Sequence, residues 1–229
     1  MKRIIVFSPH PDDETLSCGG TIAKNVKEGN QVFVVFMTDG RYALTEAGIM
    51  SYPDPLEMRE IRRVEAFKAL RKLGMRTKNI LFLDIEDKAL KRHKKEAHDI
   101  VRKMLKDINP NQIYFPQEME YHVDHVATNR IVKEAAKNLG LIPERYRYAI
   151  AWKYPFNLLM YTLGERAFYR FMSKILNSRL ICIDISNYLP LKLDAIKEYK
   201  TTLLPFKLNK PFRFSHLSRF TENKEKFFA

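Results

Sequence analysis

Short, continuous apolar runs alternate along the chain with longer amphipathic stretches. The runs at 4–7 (IIVF), 32–37 (VFVVFM), 80–83 (ILFL) and 112–115 (QIYF) predict strands, with further strands expected over 148–152 and 180–183. Between them, apolar positions spaced by three and four predict helices over 15–27, 56–73, 94–106, about 126–138 and about 190–200. Strands that are apolar throughout, rather than at alternate positions, belong in a sheet covered on both faces, and a helix after each strand suits parallel connections. The expected fold class is α/β: a Rossmann-like three-layer sandwich around a mostly parallel sheet. No internal repeat and no Gly- or Ser-rich linker interrupts the pattern, so one domain is expected over 1–229. The stretch 154–174, YPFNLLMYTLGERAFYRFMSK, differs in character, mixing aromatics, Leu and Met with basic residues. It reads as a helix packed over the site or at a subunit contact, and alternatively as a patch meeting an acyl chain or bilayer interface. Residues 153–178 are accordingly expected to be a lid or an interface insertion.

Ligands of such sheets bind outside the carboxyl ends of the strands. The loops at 8–14, 38–55 and 116–125 should therefore open on one edge, and they hold most of the unusual polar chemistry. The first carries SPHPDDE. His10 and Asp13, three apart around Pro11, can be aimed at one point by a rigid turn, although acidic residues there would also suit the N-terminus of the following helix. The third carries 122-HVDH-125, where His125 offers a distant third ligand. Two ligands close in sequence and one far away is a pattern of zinc held by three protein groups with a position left open. Ordinary surface histidines, with Asp124 as a helix cap, are the alternative. Of six histidines three fall in these two loops; His93, His98 and His216 lack such company and read as exposed bystanders.

Composition changes the picture only modestly. At 229 residues, with two cysteines, the chain needs no disulfide scaffold and offers no thiolate zinc site, and a reduced, cytoplasmic setting is expected. MKRIIVF runs directly into HPDDE without a signal-peptide pattern, and no apolar run approaches the roughly 20 residues of a membrane span. The formal charge of +13 favours anionic partners. Much of that excess lies in mixed-charge helical stretches such as 59-REIRRVEAFKALRKLGMR-76, which read first as solvated faces.

Together, SPHPDDE after the first strand and HVDH more than a hundred residues later resemble the LmbE/PIG-L family of zinc-dependent de-N-acetylases acting on N-acetylglucosamine moieties. Thr38-Asp39-Gly40, the helix motif Arg62-Arg63-Val64-Glu65 with Ala69 and Leu73-Gly74, and 182-CIDISNYLPLKLDAIKEY-199 extend the resemblance. It implies that His10, Asp13 and His125 ligate one zinc ion per chain, that Asp12 is the general base, that His122 is the electrostatic and acid partner, and that Asp124 orients His122. It further implies that Arg62 contacts substrate; an ion pair with Glu65 is the alternative. Glu14 is expected to orient the loop, and Asp184 to be structural. Thr201-Thr202 replaces the family's usual Ser-Gln and Val123 a frequent proline, departures that bear on substrate identity rather than reaction type.

The expected function is thus a metal-dependent hydrolase removing an acetyl group from an N-acetylglucosamine-type amino sugar or its conjugate. The substrate could be anionic or lipid-linked, and a homo-oligomer is compatible with the sequence. No obligate nucleic-acid partner is expected. A metal-dependent phosphoesterase or nucleic-acid-binding protein is the alternative suggested by charge, although two-metal chemistry needs a further ligand cluster. A noncatalytic sugar-binding module is the third reading.

Overall fold

The computed structural model describes residues 1–46, 49, 53–152, 156–207 and 217–229. Its strands are β1 (Arg3–Ser8), β2 (Gln31–Thr38), β3 (Ile80–Ile85), β4 (Gln112–Pro116), β5 (Glu144–Tyr148), β6 (Leu180–Asp184) and β7 (Lys224–Phe228). They form one sheet in the order β3-β2-β1-β4-β5-β7-β6. The first five run parallel, and β7 is antiparallel to both β5 and β6. The helices are α1 (Asp13–Lys27), α2 (Ala43–Glu46), α3 (Pro55–Lys72), α4 (Lys94–Ile108), α5 (Val123–Asn138), α6 (Phe156–Leu163), α7 (Glu165–Ile175), α8 (Leu189–Glu198) and α9 (Lys200–Lys207).

Successive strand residues point to opposite faces, so an all-apolar strand feeds two cores at once. Ile4, Val6, Val34 and Phe36 pack with Leu16 and Ile22 of α1, Ala66 and Leu70 of α3 and Ile196 of α8. Their neighbours Ile5, Phe7, Val35 and Met37 pack with Val101 and Leu105 of α4 and Ile131 and Val132 of α5. The expected three layers follow directly from this. A structural glycine helps on the first face: a Cβ on Gly20 would lie 2.4–2.7 Å from the Ile185 side chain, so α1 can approach the β6–α8 turn only without one.

Three expectations require correction. The fifth strand lies at Glu144–Tyr148, four residues earlier than the apolar run at 148–152 suggested. Its sequence, ERYRY, is polar because much of it is half-buried, and the run that follows forms a buried loop at the strand's carboxyl end. Strand β7 was not anticipated, because KEKFF is short and mixed, and its pairing, mainly with β6, makes it a strand. The aromatic-rich stretch is two helices rather than one, broken at Gly164, whose φ of +72° is comfortable only for glycine.

Candidate metal centre and active site

Parallel strands β1 and β4 are neighbours, and their connections lead to opposite faces, α1 on one and α5 on the other. A crevice therefore opens between their carboxyl ends, as it does wherever strand order reverses in an open parallel sheet. The loop after β1 enters it with His10, Asp12 and Asp13, and the loop after β4 with His122, Asp124 and His125. All six are buried or nearly so, with relative exposures of 0–9%.

The six side chains converge. His10 Nδ1 lies 3.2 Å from Asp13 Oδ2, His125 Nε2 lies 3.1 Å from the same oxygen, and the two nitrogens are 3.3 Å apart. Ligand atoms around a tetrahedral ion bound at about 2.0–2.2 Å sit roughly 3.3–3.6 Å from one another. The triangle thus has the size and the mixed N/O donor chemistry that a zinc-like cation requires. His10, His122 and His125 also offer nitrogens within 4.8 Å of one another, as do His10, Asp87, His122 and Asp124 with their ligand atoms. The second of these sets is already engaged: Asp124 accepts the backbone N–H groups of Lys88 (2.6 Å) and Leu90 (3.2 Å), and Asp87 that of Tyr42 (3.2 Å). Its carboxylates instead face the other ring nitrogen of His10, at 3.2 Å from Asp87 and 3.4 Å from Asp124. Such contacts fix the orientation of a ligating imidazole.

Charge is concentrated here. Burial alone would disfavour protonated His10, but Asp87, Asp124 and Asp13 hold its pKa well above the ordinary value. Burial likewise opposes protonation of His125, and Asp13 and Glu120 overcome it, raising the pKa to about 9. Asp13 is buried yet held well below the usual carboxylate range by the same two imidazoles. An anion between two imidazoles is a donor set that could also hold a cation, binding of which would displace the ring protons.

Asp12 stands apart from the triangle. Its backbone, at φ +119°, is in a region that costs a non-glycine residue about 1–3 kcal/mol and persists only when its surroundings impose it. Those surroundings are identifiable. The Asp12 N–H donates to Glu14 Oε2 (3.1 Å), and the carbonyl of Pro11 accepts from the Arg62 guanidinium. The carboxylate is held by Arg62 Nη2 at 3.0 Å and by the Thr202 hydroxyl at 2.6 Å. Burial raises its pKa to about 6, with Arg62 and Thr202 pulling the other way.

Glu14, expected to orient this loop, is fully buried and also accepts the hydroxyls of Thr15 (2.5 Å) and Tyr199 (2.6 Å), with burial raising its pKa to about 7. Arg62 is 3% exposed and pairs with Asp12 rather than Glu65, which instead holds Thr201; its Nε has no hydrogen-bond partner among the described residues. Gly40, at φ +65°, makes this possible: a Cβ there would sit 2.9 Å from Arg62 Nε and 3.0 Å from Pro11 Cδ.

His122 caps α5, its Nδ1 accepting the Asp124 N–H at 3.2 Å, while the Asp124 carboxylate is 3.8 Å away. Asp124 therefore lies closer to His10 than to His122. The His122 ring meets that of His10 edge-on at 4.5 Å between centroids. His93 and His98 lie elsewhere, paired with Glu96 and Asp99; His216 is outside the described residues. Asp184 accepts from Ser186 at the end of β6, away from the crevice.

A family model described as PIG-L, GlcNAc-PI de-N-acetylase, matches residues 5–136, more than half of the chain. The chain belongs to the PIG-L family. Similar to this PIG-L chain are a probable N-acetyl-α-D-glucosaminyl L-malate deacetylase 2 of Bacillus anthracis, 30% identical over 66% of the chain and 66% of the relative, and a diacetylchitobiose deacetylase of Thermococcus kodakarensis, 28% identical over 62% and 51%. The chain thus spans between half and two thirds of these relatives' lengths. Its fold is shared by the deacetylase of the teicoplanin biosynthesis pathway solved in complex with bog, with a TM-score of 0.71 and 16% identity over 99% of this chain and 96% of that one.

Three residues of this PIG-L site escaped sequence reasoning. Asp87 follows β3, a loop that the same carboxyl-end rule brings to the crevice; a strand count extended by one would have found it. Glu120, fully buried two residues before His122, lies 3.4 Å from His125 Nδ1, an ion-pair distance without hydrogen-bond alignment, and accepts the backbone N–H groups of Ile150 (2.6 Å) and Ala151 (2.8 Å). Thr202 stood out only as part of the departure from the family's Ser-Gln, and its role was not legible, since only the return of α9 to the crevice places it on Asp12.

Proposed function

We propose that the chain is a metal-dependent hydrolase that removes the acetyl group from an N-acetylglucosamine-type amino sugar or its conjugate. The observation that carries this reading is the 3.1–3.3 Å triangle of His10, Asp13 and His125 with a strained, buried carboxylate, Asp12, beside it. The names of the relatives supply the substrate class, and the family membership supports the reaction. One zinc ion per chain is the proposed occupant, held by the triangle, where it would supply Lewis acidity toward the amide carbonyl and make water a nucleophile near neutral pH.

The remaining parts belong to the chain. Asp12, with a pKa near 6, is mostly ionised at pH 7 yet still basic enough to take a proton from the attacking water. Arg62 and Thr202 hold its carboxylate in place. His122, whose Nδ1 accepts the Asp124 N–H, is assigned the role of electrostatic partner to the oxyanion that forms when the amide carbon becomes tetrahedral. Asp124 anchors the β3–α4 connection, steadies His10 and, through its backbone N–H, orients His122. Residues 1–229 act as one domain in this proposal.

Asp12→Asn tests it. The amide keeps the shape and tolerates the backbone, but cannot take the proton. Acetate release should fall by roughly 10²–10⁴-fold, while one metal ion per chain is still retained. His125→Ala should lose metal and activity together. Loss of metal from Asp12→Asn, or stoichiometric metal in His125→Ala, would overturn the assignment.

A further inference from the structure

The strained backbone of Asp12 is imposed through the peptide planes on either side of it, since rotation about φ turns one plane against the other. The following plane is fixed by α1, whose Leu16 N–H donates to the Asp12 carbonyl at 2.9 Å. The preceding plane is fixed by Arg62 on the Pro11 carbonyl and by Glu14 Oε2 on the Asp12 N–H. Glu14 is fully buried, where an apolar side chain would cost the fold less. Its second oxygen, Oε1, accepts the hydroxyls of Thr15 (2.5 Å) and Tyr199 (2.6 Å). Thr15 belongs to the same turn of α1 as Glu14, whereas Tyr199 arrives at the end of α8, 185 positions away. Tyr199 is 2% exposed in the apolar layer that contains Leu16, Leu70 and Ile196. A phenylalanine ring would fill that place equally well, so what the hydroxyl adds is the contact with Glu14.

We infer that Tyr199 is a positioning residue for the general base: its hydroxyl locks the Glu14 carboxylate, and Glu14 in turn holds the Asp12 backbone so that the Asp12 carboxylate faces the crevice. The inference rests on the role proposed for Asp12. A carboxylate anchored at one end can still turn about its side-chain torsions, and Tyr199 is the anchor that does not move with the turn being held. The same short connection between α8 and α9 also serves the other end of Asp12. Glu65 fixes that connection by accepting the Thr201 N–H (3.0 Å) and hydroxyl (2.5 Å), and the next residue, Thr202, donates to the Asp12 carboxylate at 2.6 Å. One segment thus steadies the backbone of Asp12 through Glu14 and its side chain directly. Without the Tyr199 hydroxyl, Asp12 would relax toward an ordinary φ and carry its carboxylate out of line.

The experiment pairs amide hydrogen exchange of the full, zinc-loaded chain with acetate release from diacetylchitobiose. Tyr199→Phe should speed exchange of the Asp12 amide by about three- to tenfold while the β1 amides keep their wild-type rates. It should lower kcat by about 10–100-fold with KM within about twofold, since a small misplacement of a reacting group is costly, and one zinc ion per chain should remain. Added to Asp12→Asn, Tyr199→Phe should change the residual rate by less than about twofold, because a residue that acts through Asp12 then has no base left to position. Glu14→Met/Tyr199→Phe removes both partners of the buried hydrogen bond, which favours folding over the loss of one, and should show the same faster exchange and lower kcat. An Asp12 amide that exchanges no faster in either variant would overturn the proposal. So would a rate loss as large in the Asp12→Asn background as in the wild type, because Tyr199 would then support the fold at large. Exchange is read without substrate, so its outcome stands apart from the hydrolase reading, which a wild-type chain releasing no acetate from any N-acetylated amino sugar would sink by itself.

Discussion

Loading the chelator-treated protein with zinc should release protons in a number that the crevice fixes. Before loading, Asp13 is ionised and sits between two imidazoles, His10 and His125, at 3.2 and 3.1 Å. At pH 7, about two units below the His125 pKa of about 9, that ring is protonated, and His10 is held well above its ordinary value by Asp87, Asp124 and Asp13 despite burial. A metal needs both nitrogens deprotonated, so each bound proton must leave. The two nitrogens are only 3.3 Å apart, which makes the cations repel and the titration a joint one. Between about one and two protons should therefore leave per ion at pH 7. Isothermal titration in buffers of differing ionisation enthalpy gives that count directly. Linkage requires the same number as the slope of log affinity against pH, flattening as pH rises past about 9. In the metal-free protein, His125 has a folded pKa above its unfolded one. The stability it lends is therefore complete below about pH 6.5 and lost as pH rises through about 9. Release of fewer than about half a proton at pH 7 would mean that the ion binds elsewhere or that the imidazoles are already neutral, and the charge analysis of the crevice would be wrong.

Two further outcomes follow from contacts around that centre. Thr202→Val removes a 2.6 Å hydrogen bond to the Asp12 carboxylate, one of the contacts that lower its pKa. The acid limb of the pH profile of kcat/KM should move upward by about one unit, the equivalent of roughly 1.4 kcal/mol, with metal content unchanged, and no shift or a downward one would refute the role given to Asp12. Lys192→Met breaks a buried pair in which both side chains are 2% exposed and leaves Glu225 held, among the described residues, by Gly20 N, Thr21 N and the Thr21 hydroxyl. Denaturant titration should show a loss near 3 kcal/mol, at the low end for a broken buried pair because of those three donors, with part recovered by adding Glu225→Gln; a loss under about 1 kcal/mol would contradict the burial argument.

The departures from expectation share a cause. The run 149–152 is as apolar as the strands but serves as a buried loop, because the strand preceding it is only half covered and has no need of a continuous apolar sequence. Strand β7 depends mainly on β6 for its pairing, and a five-residue mixed segment carries no period that would announce it. Arg62 was placed on the right helix, yet its partner, Asp12, lies 50 positions away in sequence, while the local candidate Glu65 faces Thr201.

What the sequence determined by itself is what local periodicity and motif spacing can encode. Doubly buried strands required a parallel sheet with helices on both faces, and the carboxyl-end rule then sent SPHPDDE and HVDH to the same edge. What only the tertiary structure decided is which atoms meet there. The side chains that complete the site are Glu120, from the HVDH loop itself, and three from further segments: Asp87 after β3, Arg62 on α3 and Thr202 on α9. Hydrogen bonds and ion pairs act only within a few ångströms, and the chain leaves no local record of a contact made by folding distant segments together.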